Sequence, residues 1–356
     1  MSRSPRSILV VCTRRIGDVL LTTPLIRSLR QAWPHARLEA LVSPGTEGIL
    51  QGNPDLDRVL LTPPRGARQQ LGFLRQMFRR YDLACAATAS DRARFLARWS
   101  GRECVGLWSR RDPAHGRGWI PGTWLDFDEL GEHAIESPLR IATALGIPVV
   151  REVVAPLPRN SPDFPEIRQP YAVIHPWPKF RYKAWPRERW LGLGRALRDD
   201  GVQVVVTGGP DPQERAFCAD LVELIPGSVD LSGQCSFAEL GEVIGRSRVF
   251  IGPDTVMTHL AAAVGAPTVA LFGPSNPVRW GPWPAGRHEA GSPWPRIGSG
   301  RVGKVWLMQG EGDCVPCLLE GCDRHVNSSS LCLEELPVSH ITAAVAQALS
   351  GLPLTQ

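Results

Sequence analysis

Short, nearly unbroken apolar runs recur along this chain. Each is followed by a turn and then by a stretch with helical spacing. Residues 8–12, 38–42, 58–61 and 82–86 are such runs in the first half. The segment 18–33 carries Val19, Thr23, Ile26, Leu29 and Trp33 at helical intervals, with Leu20 beside them, before Pro34 ends it. A further helix is expected over 71–81. Apolar runs without polar alternation suit strands covered on both faces, and the helices between them supply the crossovers. The alternation predicts a doubly wound parallel sheet, an α/β fold.

The pattern then restarts. Residues 171–175, 202–207, 249–251 and 268–272 read as strands, and 187–198, 212–224, 237–244 and 255–264 as helices, with a last helix over 339–349. Between the two series lies the stretch 155–170, which holds Pro156, Pro158, Pro162, Pro165 and Pro170. Prolines at that density favour extended backbone, so the interdomain linker is placed there. A chain of 356 residues with 43% hydrophobic content exceeds one ordinary core. The expected division is a Rossmann-like domain over 1–165, a second over 166–338, and a closing helix and tail over 339–356. Two such domains leave a cleft between them, and ligands sit outside the carboxyl ends of the strands.

Charge is spread unevenly. Residues 1–165 hold 23 arginines against 16 acids, a balance of +7 within a whole-chain charge of +5. A basic half suits an anionic small molecule, a phospholipid head group or nucleic acid; a solvated surface is the bland alternative. The least polar run, 260–272, is interrupted by Gly265 and Pro267 and is too short to span a bilayer. The apolar run after Arg3 and Arg6 reads as a strand and not as a signal-peptide core, so a cytoplasmic protein is expected, with membrane contact at most peripheral.

Three strand-end segments carry candidate chemistry. Ile251-Gly252-Pro253-Asp254-Thr255-Val256-Met257-Thr258-His259 reads as strand, tight turn and helix start. Asp254 or Thr255 is placed to cap that helix, and its amides and dipole would suit a diphosphate. His259 lies on the same helix face as Thr255. Phe272-Gly273-Pro274-Ser275-Asn276 forms the next strand-end loop. The segment 175–186 holds Lys179 and Lys183, two of three lysines in the chain; Lys183 suits a phosphate as a point charge, and Trp185 would anchor the loop. Arg14-Arg15-Ile16-Gly17-Asp18-Val19 follows the first strand. Asp18 there is either a helix cap or a general base.

Taken in order, Ile16-Gly17-Asp18-Val19 with Thr23-Pro24, Lys183-Ala184-Trp185-Pro186, Gly208-Gly209, and Asp254-Thr255 with His259-Leu260 and Phe272-Gly273-Pro274 resemble the ADP-heptose:lipopolysaccharide heptosyltransferases, glycosyltransferase family 9. The resemblance covers almost the whole chain and implies a GT-B fold. It also implies an inverting transfer of a heptose or related sugar from an ADP-sugar donor to an anionic glycolipid or glycan, without nucleic acid as a partner. Asp18 would be the catalytic base and Lys183 the donor phosphate contact. Thr255, Val256, Met257 and His259 would hold the diphosphate and sugar, and Asp254 would be the acid at the sugar. Gly208, Ser232 and Cys235 would lie toward the adenosine. Arg14 and Arg15 are acceptor-side candidates, as are Arg65, Arg68, Arg75, Arg79, Arg80, Arg92, Arg94 and Arg98 on the basic half. Cations and helix amides would stabilise the leaving diphosphate, so no cofactor is expected to be required for catalysis. Domain closure would exclude water. Trp177-Pro178-Lys179 replaces the small turn common in the family, and Leu20-Leu21 stands where some members carry His-Thr, which leaves the acceptor open.

Cys314, Cys317, Cys322 and Cys332 form a C-x2-C-x4-C-x9-C pattern with His325 nearby. Such spacing suits a structural zinc or iron ion; four reduced thiols or a disulfide pair are the alternatives. The cluster follows residues 281–312, which show no clear periodicity, and lies outside the donor and base loops, so its expected role is structural. Two readings compete with transfer: a sugar-nucleotide epimerase of the same fold, and a non-catalytic nucleotide-binding module. A dinucleotide dehydrogenase is disfavoured because the first turn lacks G-x-G-x-x-G.

Overall fold

The computed structural model describes residues 4–64, 66–109 and 120–351. The chain divides into two compact units, residues 1–156 with 287–291 and residues 157–286 with 292–356.

The N-terminal unit is built on β1 (Ser7–Cys12), β2 (Arg37–Val42), β3 (Arg58–Leu61), β4 (Tyr81–Ala86), β5 (Gly101–Trp108) and β6 (Thr123–Asp126). They pair in the order β3-β2-β1-β4-β5-β6, all parallel. Successive side chains of β1 enter opposite cores. Ile8 and Val10 pack with Leu25, Ile26 and Leu29, whereas Leu9 and Val11 pack with Ala93, Leu96 and Ala97. This is why the run shows no polar alternation: both faces are covered.

The single helix expected over 18–33 is two, α1 (Ile16–Leu20) and α2 (Thr23–Ala32). Pro24 has no N–H for the carbonyl of Leu20, and its ring would crowd that carbonyl. Hydroxyls take over there: Thr23 Oγ1 donates to Leu20 O at 2.7 Å and Thr22 Oγ1 to Asp18 O at 2.8 Å. The helix expected over 71–81 is α3 (Ala67–Met77), because Arg79 turns the chain with φ 45° and Tyr81 already starts β4. The unit is completed by α4 (Asp91–Ser100) and α5 (Glu136–Ala144).

In the C-terminal unit the strands are β7 (Tyr171–Ile174), β8 (Gln203–Val206), β9 (Val229–Asp230), β10 (Val249–Pro253), β11 (Thr268–Phe272), β12 (Gly300–Val302) and β13 (Val305–Gln309). Their order is β12-β13-β11-β10-β7-β8-β9, parallel throughout except for β12 against β13. Both β12 and β13 come from or border the stretch that showed no periodicity. Val305 and Leu307 of β13 are buried with Trp294, a contact between segments distant in sequence. The helices are α6 (Arg187–Asp199), α7 (Pro212–Leu224), α8 (Phe237–Gly245), α9 (Val256–Ala263), α10 (Pro277–Trp280), α11 (Leu331–Glu334) and α12 (Val338–Ser350). No helix among the described residues is long and apolar enough to cross a membrane.

Apart from β12, the two sheets share one strand order. It reverses between β1 and β4 in the first unit and between β7 and β10 in the second. Loops leaving the carboxyl ends of those strands are where open α/β sheets bind ligands.

Candidate functional site

In the C-terminal unit the two loops at the reversal point meet. Lys183, at the end of a short 3-10 turn after β7, places Nζ 2.5 Å from Asp254 Oδ2 and 3.5 Å from the Asp254 carbonyl at the end of β10. The loop is held by Trp185, which is buried, donates Nε1–H to Leu336 O at 3.0 Å and meets Trp190 edge-on at 5.0 Å. Trp177, the bulky replacement in this loop, packs at 5.0 Å against Phe217 of α7.

Asp254 is buried. Burial by itself raises its carboxyl pKa, but the Lys183 ammonium, His259 and the Ser275 hydroxyl outweigh that and hold it below the ordinary value. It is therefore a buried carboxylate with a single strong cation partner. The expected helix cap is not formed by either candidate. Asp254 spends its carboxylate on Lys183 and Ser275, and Thr255 makes no side-chain cap bond.

Two polar atoms beside the pair lack partners. Thr255 Oγ1 and His259 Nδ1 are both buried and make no hydrogen bond among the described residues. Burial lowers the His259 pKa to about 4 against the opposing pull of Asp254, so the ring is neutral at pH 7 and offers one donor and one acceptor. Each orphaned group costs about 1–3 kcal/mol. A polar ligand over the start of α9 would satisfy both. Val256 is half-buried there, whereas the Met257 side chain is buried and leaves only backbone to offer.

Gly208, Ser232 and Glu214 converge at the ends of β8 and β9. A Cβ on Gly208 would lie 2.9 Å from Cys218 Sγ, 3.1 Å from Glu214 Cγ and 3.1 Å from Ser232 Cβ, so only glycine fits. Ser232 is buried against the Cys218 thiol. Glu214 accepts the Gly209 N–H at 2.6 Å, and burial raises its carboxyl pKa. Sequence reasoning missed Glu214. Asp211-Pro212-x-Glu214 reads as an ordinary helix start, and Asp211 does cap α7 through the Gln213 and Glu214 amides. The distinguishing fact is that Glu214 reaches Gly209 instead of closing a capping box. The half-buried Cys235 has its thiol pushed up to about 11 by burial and then by Glu239 and Glu166, so it is a neutral group and a poor nucleophile at pH 7.

In the N-terminal unit Asp18 stands at the other reversal point, as the third residue of α1 after β1. Its carboxylate accepts the Arg15 N–H at 3.2 Å and remains half-exposed. The two readings of this acid are thus compatible: one oxygen braces the helix start and the group still faces solvent. Beneath it, burial and then the Asp18 charge push the Cys12 thiol up to about 12. Arg14 and Arg15 are exposed beside it. Arg94 is not a surface cation: it is buried, stacks 4.6 Å over Trp124 and lies 3.3 Å from Asp91. Arg80 is drawn toward Glu39 at 3.8 Å, and Arg65 lies outside the described residues. The chain contains Asp-x-Asp at 55–57 and 126–128. Asp55 and Asp57 are engaged by Arg27 and Arg30, each at 2.8 Å, and Asp128 accepts the Leu130 N–H at 2.9 Å.

Cys314, Cys317, Cys322 and Cys332 are free thiols. Burial and the neighbouring Cys317, then Cys314 and Cys322, push Cys332 up to about 11, so the four share one neighbourhood. Among the described residues, however, no three His, Cys, Asp or Glu side chains are arranged to hold a metal ion. The segment is not remote from the Lys183 and Ser275 loops, as its place in the sequence implied. Ser330 Oγ donates to Tyr182 O at 2.7 Å, Arg181 N–H to Val326 O at 3.1 Å, and Leu318 N–H to Pro274 O at 2.9 Å. It buttresses the Lys183 loop and the Ser275 loop together.

Residues 78–292 match the family model for glycosyltransferase family 9 (heptosyltransferase). Lipopolysaccharide heptosyltransferase 3 of Escherichia coli K12 is 30% identical over 292 residues, covering 75% of this chain and 82% of that protein. A family 9 glycosyltransferase from Veillonella parvula superposes with a TM-score of 0.74 at 18% identity, covering 98% of both chains. E. coli heptosyltransferase WaaC with ADP superposes with a TM-score of 0.71 at 19% identity, covering 96% of this chain and 99% of that one. The fold shared with these structures is the expected one.

Proposed function

The chain belongs to glycosyltransferase family 9, and on that premise we propose that it transfers a heptose, or a related sugar, from an ADP-activated donor to a lipopolysaccharide core or another anionic glycan. One observation carries the reading: Lys183 and Asp254 meet at the strand-order reversal while Thr255 and His259 beside them keep buried polar atoms without partners.

The chemistry follows from those groups. The donor diphosphate sits over the uncapped start of α9, where amides and the helix dipole favour an anion. Lys183 supplies the compact cation, and Asp254 and His259 address the sugar. Asp18 takes the proton from the acceptor hydroxyl as its oxygen attacks the anomeric carbon. The bond from that carbon to the diphosphate breaks, and ADP leaves with the electron pair. Charge grows on the diphosphate in the transition state, so the cation and amides aimed at it lower the barrier. Gly208, Ser232, Cys235 and Glu214 hold the nucleoside end.

A panel of nucleotide sugars, assayed for nucleoside diphosphate release with and without lipopolysaccharide-core acceptors, tests the reading. Acceptor-dependent release from ADP-heptose supports it. Donor turnover to free sugar without any acceptor would favour the epimerase alternative.

A structural zinc or iron ion at Cys314, Cys317, Cys322 and Cys332 is a separate proposal, supported by the shared neighbourhood of the thiols. Binding requires the other three to close on Cys332. Elemental analysis of freshly purified, unchelated protein decides it: near-stoichiometric metal supports the proposal, and its absence sinks it.

A further inference from the structure

The N-terminal unit carries two exposed phenylalanines on Trp99, which itself packs against the core. Phe78 is 56% exposed and Phe95 41% exposed, and both touch Trp99, with ring centroids at 5.0 and 5.9 Å. Leu71, in the first half of α3, is 51% exposed. The aromatic group is locked in place. Trp99 Nε1–H donates to Leu74 O at 2.7 Å, which ties α4 to the end of α3. The Arg79 N–H donates to Trp99 O at 3.0 Å, which fixes the turn that presents Phe78. A rigid display of large apolar side chains is unfavourable in water unless something covers it.

Its surroundings are cationic. Arg75, Arg79 and Arg92 are exposed and enter no ion pair among the described residues, and the half-exposed Arg98 is likewise unmatched. Of the carboxylates close in sequence, Asp82 accepts from the Arg6 and Ser7 amides and Asp91 meets Arg94, while the exposed Glu103 enters no ion pair among the described residues. Aromatic side chains flanked by unneutralised arginines match the interface of an anionic bilayer, where rings partition to the headgroup level and guanidiniums pair with phosphates. A protein partner of matching chemistry would need carboxylates around an apolar socket; a lipid surface offers both elements continuously.

We propose that this face, formed by the end of α3, the turn at Phe78–Arg79 and the outer side of α4, docks on an anionic membrane. The usefulness of such docking rests on the lipopolysaccharide reading above; the docking itself does not. The test is co-sedimentation of the full chain, without donor or acceptor, with phosphatidylglycerol-rich vesicles and with pure phosphatidylcholine vesicles. Binding to the anionic vesicles, released by added salt, is expected. Replacing Arg75, Arg79 and Arg92 together by Gln should weaken it on the order of a hundredfold, from about fivefold per charge. Phe78→Ser with Phe95→Ser should leave a salt-sensitive residue of binding that is at least about tenfold weaker. All these side chains are exposed, so melting temperatures should match the parent, and a variant that melts early is replaced by the other set. Absence of vesicle binding at low salt, equal binding to both vesicle types, unaltered binding by both variants, or complete displacement by a single-stranded oligonucleotide each overturns the proposal. Acceptor-dependent ADP release with a water-soluble core oligosaccharide is measured separately, so failure of transfer and failure of docking are told apart.

Discussion

Lys183 Nζ lies 2.5 Å from Asp254 Oδ2, joining loops that are 71 residues apart in the chain. Removing the ammonium strands a buried carboxylate. Lys183→Met should therefore destabilise the fold by about 3 kcal/mol at pH 7. Lys183→Met with Asp254→Asn should recover much of that, because the uncompensated charge goes with its partner. Urea unfolding of the two variants checks this. In the single variant the loss should shrink as pH falls toward 5, since burial without Lys183 lets Asp254 take up a proton. In the parent the Asp254 pKa lies below 3.8, so the pair is intact at neutral pH and its contribution is lost only below that value.

Asp18→Asn separates the structural contact of this acid from the base role proposed for it. Asn can still accept the Arg15 N–H, so stability should change by less than about 0.5 kcal/mol. Turnover should fall by roughly a hundredfold or more, with donor affinity unchanged. Calorimetry with ADP alongside steady-state kinetics gives both values. Turnover that survives the substitution removes Asp18 as the base.

His259 and His175 should make the fold acid-sensitive well above the carboxylate range. Burial lowers each pKa from 6.5 to about 4. Between those values the unfolded chain binds protons that the native state does not. Stability is thus full above pH 6.5 and declines as pH falls toward 4, by roughly 3 kcal/mol for each histidine. His259→Gln should remove one share of the slope in urea unfolding at pH 5 and pH 7. An unchanged slope would mean that His259 titrates normally in the native state.

Glu214→Gln should weaken ADP binding by about tenfold while leaving turnover at saturating donor nearly intact, the signature of a group that holds the nucleoside end and not the reacting carbon. Calorimetry and the split between KM and kcat report it. Gly208→Ala is the harsher change, because the added methyl meets Cys218 Sγ at 2.9 Å; it should destabilise the fold by about 1–3 kcal/mol.

The strand-end residues were legible because the local pattern announces where a strand stops. Asp18, Lys183, Gly208 and Asp254 each follow an apolar run, and their positions in the fold are the expected ones. Glu214 was hidden by a capping signature that Asp211 satisfies without it. The break between α1 and α2 is signalled by Pro24 but masked by apolar spacing that continues across it. The apolar run 305–308 of β13 is a local strand signal, but it stands alone in a Gly/Pro-rich stretch without periodicity, and its place beside β11 depends on Trp294 and other partners distant in sequence.

By itself, the sequence determined the alternation of strands and helices, the existence of two sheets and the strand ends at which chemistry is offered. Those depend on the period of apolar side chains and on turn residues, which act over a few positions. Only the tertiary structure decided that β7 and β10 are neighbours, and hence that Lys183 neutralises Asp254 while Thr255 and His259 are left without partners. Strand order is set by long crossovers and by burial of both sheet faces. The charge state of Asp254 is in turn set by what that burial brings within a few ångströms. Neither quantity exists in a local window of sequence.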